Sequence, residues 1–226
     1  MNELYQKINN YVYEIRMIEL DEYLNGMNRK KIDIKKAYDI ITNSESNAIL
    51  NFWKGRFADP CFKDPRSSLI KCSRVEKNKS MANEFYRKAL DLNIEGMAEA
   101  GDKYGQVCLG EMYEYGYYIY RDDSTALNWY RKAAEQGYAA AHFNIGRMYE
   151  NGKGVDENYI TAAEWYRKAA EKGHAHAQFY LGNMYHAGYC VNQNHSTAVE
   201  WYRKATKQGH VIAQFNLYRC MNTVSV

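Results

Sequence analysis

The stretch "WYRKAAEKG" at 165–173 stands between two near-copies, "WYRKAAEQG" at 129–137 and "WYRKATKQG" at 201–209. The three begin at 129, 165 and 201, so the interval is 36 residues both times. A fixed period of this order is the mark of stacked supersecondary units, each burying its apolar side only against a neighbour. The register reaches beyond the nine residues. Gly110, Gly146 and Gly182 share it, as do Met112, Met148 and Met184, Tyr113, Tyr149 and Tyr185, and Gly116, Gly152 and Gly188.

Each unit holds two helical patterns. In "AAAHFNIGRMYENG" (139–152), Ile145, Met148 and Tyr149 fall on one face by i, i+3, i+4 spacing. Gly146 lies on that face too. Glycine inside a helix costs about 1 kcal/mol against alanine, so its recurrence predicts that another backbone passes close by. In "ITAAEWYRKAAEKG" (160–173), Ala162, Tyr166 and Ala169 make a small–large–small stripe suited to close helix packing. Asp122, Asn158 and Asn194 precede the second helices and are N-cap residues by type.

Gln178, Leu181, Gly182 and Tyr185, followed by Ala198 and Tyr202, resemble tetratricopeptide logic, with a longer period whose extra length sits between the helices. "LGNMYHAGYCV" and "GRMYENGKGVDENYITAAEWYRKAAEKGHAHAQ", with the loop Gly152–Val155, resemble the Sel1-like repeat. The resemblance covers about 105–217. It departs at Tyr118 and Cys190, where the second loop glycine is missing, and at Tyr218, which replaces the helix glycine. It implies an all-α fold, a right-handed α/α superhelix (solenoid) of helix–turn–helix units with helical caps. The units fall at 105–140, 141–176 and 177–212, with a capping helix at 213–226.

The ends are less regular. "FYRKAL" (85–90) copies the start of the nine-residue motif but lies 44 residues before the copy at 129. Residues 81–104 are therefore expected to form a long linking helix with about two extra turns, or one broken near Gly96. Residues 1–80 are expected to be an N-terminal helical region in which 35–57 has the order of a decayed repeat. Leu4, Ile8, Tyr11, Ile15 and Ile18 there have helical spacing and are expected to cap the stack.

Composition excludes several classes. Among 226 residues the net charge is +3, too mild to argue for nucleic acid by itself. Five cysteines in irregular positions, without CxxC, argue against a disulfide framework and for a reducing compartment. The N-terminus lacks the apolar core of a signal peptide, and no window reaches the roughly 18 apolar residues of a membrane span. The expectation is a cytoplasmic, or alternatively nuclear, protein that is not secreted and binds no membrane. GxSxG, P-loop, HExxH and GxGxxG motifs are absent from the sequence. Six histidines lack a completing cysteine or carboxylate cluster in sequence, so they are expected to be solvated residues at helix starts. The basic run "NRKKIDIKK" (28–36) is expected to be a solvated helix start rather than a targeting or phosphate patch. No catalytic residue, metal site or cofactor is expected.

What remains is shape. In a helix-pair solenoid the first helix of each unit faces the concave side. Projection of the tetratricopeptide pattern places Phe143, Phe179 and Phe215 in a row near that surface, with Asn144, Asn183 and Asn216 beside them. The amides could bond an extended backbone. Glu111, Arg147 and Glu150 would set which partner charge is tolerated. The same phenylalanines could instead pack between units, as aromatics at helical spacing usually do. The resemblance implies a non-catalytic adaptor or scaffold for a protein or peptide partner. Two alternatives stand beside it. One is a β-lactam-binding hydrolase, although the cysteine-rich Sel1-like proteins associated with that chemistry carry cysteine pairs that this chain lacks. The other is a purely structural assembly component.

Overall fold

The computed structural model describes residues 48–58, 79–189 and 191–223. Among these residues every regular element is an α-helix: α1 (Ala48–Ala58), α2 (Lys79–Asp91), α3 (Ile94–Glu99), α4 (Lys103–Tyr115), α5 (Asp123–Glu135), α6 (Ala139–Glu150), α7 (Tyr159–Glu171), α8 (Ala175–Ala187), α9 (His195–Lys207) and α10 (Val211–Thr223). The caps form where the sequence puts them. Asp122 Oδ1 accepts from the Ser124 and Thr125 amides at 3.0 Å, and Asn158 and Asn194 accept from Thr161 and Thr197 at 3.0 and 2.9 Å. These bonds satisfy amides that a helix N-terminus leaves without partners.

Helices α4 and α5, α6 and α7, and α8 and α9 pair as three hairpins. Each second helix also packs on the first helix of the following unit, α5 on α6, α7 on α8 and α9 on α10. The buried residues therefore fall into successive clusters along the stack rather than into one centre. A fully buried tyrosine of the second helix anchors each cluster: Tyr86, Tyr130, Tyr166 and Tyr202.

The recurrent helix glycine receives this ring. A Cβ on Gly146 would lie 2.7 Å from Cδ1 and 2.8 Å from Cε1 of Tyr166, and 3.2 Å from the Ala162 carbonyl oxygen. A backbone does approach, as expected, but the tighter contact is aromatic. Gly110 stands in the same relation to Tyr130, and Gly182 to Tyr202. Gly146→Ala is thus expected to lower stability by about 1–3 kcal/mol through overpacking, although alanine is the better helix former. Thermal unfolding checks the sign, and a raised melting temperature would mean that the ring yields freely.

The same clamp identifies an earlier unit. Gly55 of α1 sits under the Tyr86 ring of α2, where a Cβ would meet Cδ1 and Cε1 at 2.6 Å. The order that marked 35–57 as a decayed repeat thus ends in a helix hairpin, with residues 35–47 outside the described part. This hairpin straddles residue 80, where the sequence suggests a boundary. The capping stripe from Leu4 to Ile18, the basic run at 28–36 and Cys190 also lie outside the described residues.

Across 81–104 the helix takes the broken form of the two expected, with α2 ending at Asp91 and α3 starting at Ile94. Asn93 takes left-handed geometry (φ 63°, ψ 46°) and its side chain accepts from the Gly96 amide at 3.1 Å. The break falls three residues before the glycine, because asparagine both tolerates that conformation and caps the next helix. Ile94 and Ala98 of α3 then close the first core cluster. Tyr118 also holds a positive φ, 61°, in the register of Gly154 at 66°. The loop shape therefore persists there without the glycine that relieves it. No helix of the described residues is long and apolar enough to cross a membrane.

Candidate functional site

The joint between the α4/α5 and α6/α7 hairpins holds a buried carboxylate. Glu114, in the last turn of α4, has a fully buried side chain. Its Oε2 accepts from the Tyr130 hydroxyl at 2.9 Å and from Arg147 Nη2 at 2.6 Å, and its Oε1 accepts from Lys153 Nζ at 2.9 Å. Burial works to raise its pKa, yet Arg147, Lys153 and the Tyr130 hydroxyl together hold it below the ordinary carboxylate value. Burial likewise works against the Arg147 charge, and Glu114 overcomes it. Arg147 and Lys153 both reach over the Tyr115 ring, at 5.5 and 5.3 Å from its centre.

The later units vary this bond. The Tyr166 hydroxyl donates to Glu150 Oε2 at 2.6 Å, while the Tyr202 hydroxyl donates to Asn183 Oδ1 at 2.7 Å. Asn216 Nδ2 donates to the same Asn183 oxygen at 3.1 Å, joining α10 to α8. Burial raises all three phenols, Tyr202 to about 12, so they remain protonated donors at neutral pH.

The phenylalanine row divides. Phe143 is half-buried, stacked on His174 with centres 4.5 Å apart, and it also meets Tyr166 and Tyr180. Phe179 repeats the arrangement on His210 at 4.6 Å. Phe215, with no further unit over it among the described residues, is 61 % exposed. Asn144 is buried, whereas Glu111, Arg147, Glu150, Asn183 and Asn216 are half-buried.

The expectation of solvated histidines is corrected for three of the six. His142, His174 and His210 are buried. His174 Nδ1 accepts from the Ala177 amide and His210 Nδ1 from the Ala213 amide, each at 3.2 Å, so these imidazoles cap α8 and α10. With its Nδ1 accepting, His210 carries its proton on Nε2 and donates to His176 Nδ1 at 3.0 Å. Phe143 and Phe179 supply the apolar cover over His174 and His210, and Trp165 lies against His142.

The structure also gathers three residues that sequence spacing kept apart. His186 ends α8, His195 starts α9, and Cys220 is buried in α10. His195 Nδ1 lies 3.2 Å from His186 Nδ1, and Cys220 Sγ lies 3.6 and 3.9 Å from those two nitrogens. A signal for this group was present in the register. His186 replaces Glu114 and Glu150, His195 replaces Asp123 and Tyr159, and Cys220 replaces Met112, Met148 and Met184.

Comparison with known proteins agrees with the repeat reading. The Sel1 repeat family model matches residues 73–94, 104–138, 139–174 and 175–210, more than half of the chain. A Sel1 repeat protein from Oxalobacter formigenes is 33% identical, with a TM-score of 0.55, over 61% of this chain and 56% of that one. The protein c5321, described as a protective antigen of uropathogenic Escherichia coli with an SLR fold, is 27% identical with a TM-score of 0.53. That match covers 96% of this chain and 42% of that one. The chain thus spans about half the length of these solved relatives. No curated protein matches it. The four matched repeats include one, at 73–94, beyond the three clear units of the period, and it contains Tyr86, whose ring covers Gly55 of α1. With four Sel1 repeats in sequence and a stack of helix hairpins in structure, the chain belongs to the Sel1 repeat family.

Proposed function

We propose that the chain is a non-catalytic adaptor that holds a protein or peptide segment along the first helices of its units, α4, α6, α8 and α10. Sel1 repeats generally serve as protein-interaction modules. The observation that carries the reading is a contrast within the repeat. Core positions are copied almost unchanged, as in Tyr130, Tyr166 and Tyr202, while one first-helix position runs Glu111, Arg147, Asn183, Arg219. The first three of these are half-buried and Arg219 is exposed, so part of each is left for contact. Variation against a fixed scaffold is how a repeat surface acquires specificity. Phe143 and Phe179 contribute their exposed edges, and Phe215 its open ring.

The test is a pull-down with the native chain and with Phe215→Ala/Arg219→Glu, both positions being exposed. The variant is expected to keep its helical circular dichroism and lose the partner. A folded variant that retains every partner would move the interface elsewhere, and turnover of nitrocefin by the native chain would overturn the non-catalytic reading.

A second reading rests on α10. Ile212, Phe215, Tyr218 and Met221 expose an apolar stripe at i, i+3 intervals, on the kind of helix that elsewhere is covered by a following unit. This stripe favours an assembly component. Self-association on size exclusion, abolished by Tyr218→Glu, would select that reading over the adaptor.

A further inference from the structure

His186, His195 and Cys220 come from three helices, and each is a departure from the repeat. Where the other units place acids, tyrosine and buried methionines, this corner places two imidazoles and a thiol. Their potential ligand atoms lie within 4.8 Å of one another. Three unrelated departures that meet at one point are not explained by packing alone, since methionine already fills the Cys220 position in three other units.

The geometry points to a zinc site formed by His186 Nδ1, His195 Nδ1 and Cys220 Sγ, closing the C-terminal end of the stack. With Zn–N of about 2.0–2.1 Å and Zn–S of about 2.3 Å, tetrahedral angles put two nitrogens about 3.4 Å apart and each nitrogen about 3.6 Å from the sulfur. The observed edges are 3.2, 3.6 and 3.9 Å, so an ion fits with shifts of a few tenths of an ångström. Mixed imidazole and thiolate donors suit zinc and disfavour magnesium or calcium, which take oxygen ligands. Three protein ligands leave the fourth position to water or to an incoming group.

Binding balances simply. Zn²⁺ comes from solution, and the Cys220 thiol loses its proton to solvent. One Nδ1 of the facing pair must carry the hydrogen of their 3.2 Å contact, so binding moves that hydrogen through solvent to the Nε2 of the same ring and leaves both Nδ1 lone pairs for the metal. Around the ligands, Gln193 Nε2 donates to the His186 carbonyl at 2.9 Å and so fixes the loop between α8 and α9. The site would pin α10 to the hairpin before it by coordination.

Cobalt(II) added to the chelator-stripped full chain tests the proposal. The expected result is one equivalent bound, a near-ultraviolet thiolate-to-cobalt band with intense visible bands of tetrahedral cobalt, and loss of both on adding zinc. Cys220→Ser should abolish the thiolate band, and His195→Ala should weaken zinc binding by at least about 100-fold, beyond the loss typical of an outer-shell partner. Cys108→Ser, at a buried cysteine in α4, should leave the band intact. If Cys220→Ser fails to fold, His195→Ala at its half-exposed position carries the test. No thiolate band in the native chain, or a band that survives Cys220→Ser, would overturn the site and leave a hydrogen-bonded trio.

Discussion

The double change Arg147→Met/Lys153→Met is expected to cost about 3–5 kcal/mol, because it strips both cations from a carboxylate that has no contact with water. Glu114 would keep only the Tyr130 hydroxyl. The direction of its titration should then reverse. In the native chain the pKa of Glu114 is depressed, so its contribution is present above the ordinary value near 4.5 and is lost as pH falls through the lower folded value. In the double variant burial acts almost alone and raises the pKa, so the variant regains stability as pH falls and Glu114 becomes neutral. The gap between the two proteins should be widest near neutral pH and should close in acid. Denaturant unfolding across that range measures it. Adding Glu114→Leu to the double variant should restore much of the loss, since an apolar group of similar size removes the stranded charge. A triple variant no better than the double would show that the damage lies in packing.

The paired change Phe143→Ala/Phe179→Ala should cost about 4 kcal/mol in all, below the roughly 3–5 kcal/mol each that full burial would bring. Both rings are half-buried and stacked on capping histidines, so their loss also uncovers His174 and His210. Phe215→Ala, the same residue one unit later, should change stability by less than about 1 kcal/mol because its ring is mostly in solvent. Chemical denaturation of the three proteins gives the comparison. Equal costs at all three positions would mean that the row is energetically uniform despite its unequal burial.

Much of the fold was legible because it depends on local chemistry repeated in register. The Asp and Asn caps, the glycine-marked helix ends and the tyrosine stripe of the second helix follow from side chains a few residues apart. The joints were less legible, since they depend on the rotation between units. Glu114 meets Arg147 at a separation of 33 residues and Lys153 at 39, neither equal to the 36-residue period. A linear reading offers Arg147 as a partner contact but has no means of seeing that its guanidinium also faces a carboxylate one unit back. The histidines were misjudged for a related reason. Their burial depends on aromatic rings distant in sequence, Phe143 over His174, Phe179 over His210 and Trp165 against His142. The His186, His195 and Cys220 group shows the complement: the period is informative where it fails, because residues that abandon it together have a shared reason in space.

The Glu114 cluster also bears on how the stack responds to load. Two cations from the next unit grip one carboxylate between the α4/α5 and α6/α7 hairpins, whereas α10 is held to α8 by neutral contacts, Asn216 to Asn183 and His210 to His176. A rod so built is not uniformly springy. Tension drawn along the described helices would be resisted stiffly between the α4/α5 and α6/α7 hairpins, and α10 would yield sooner in the metal-free chain than with zinc on His186, His195 and Cys220.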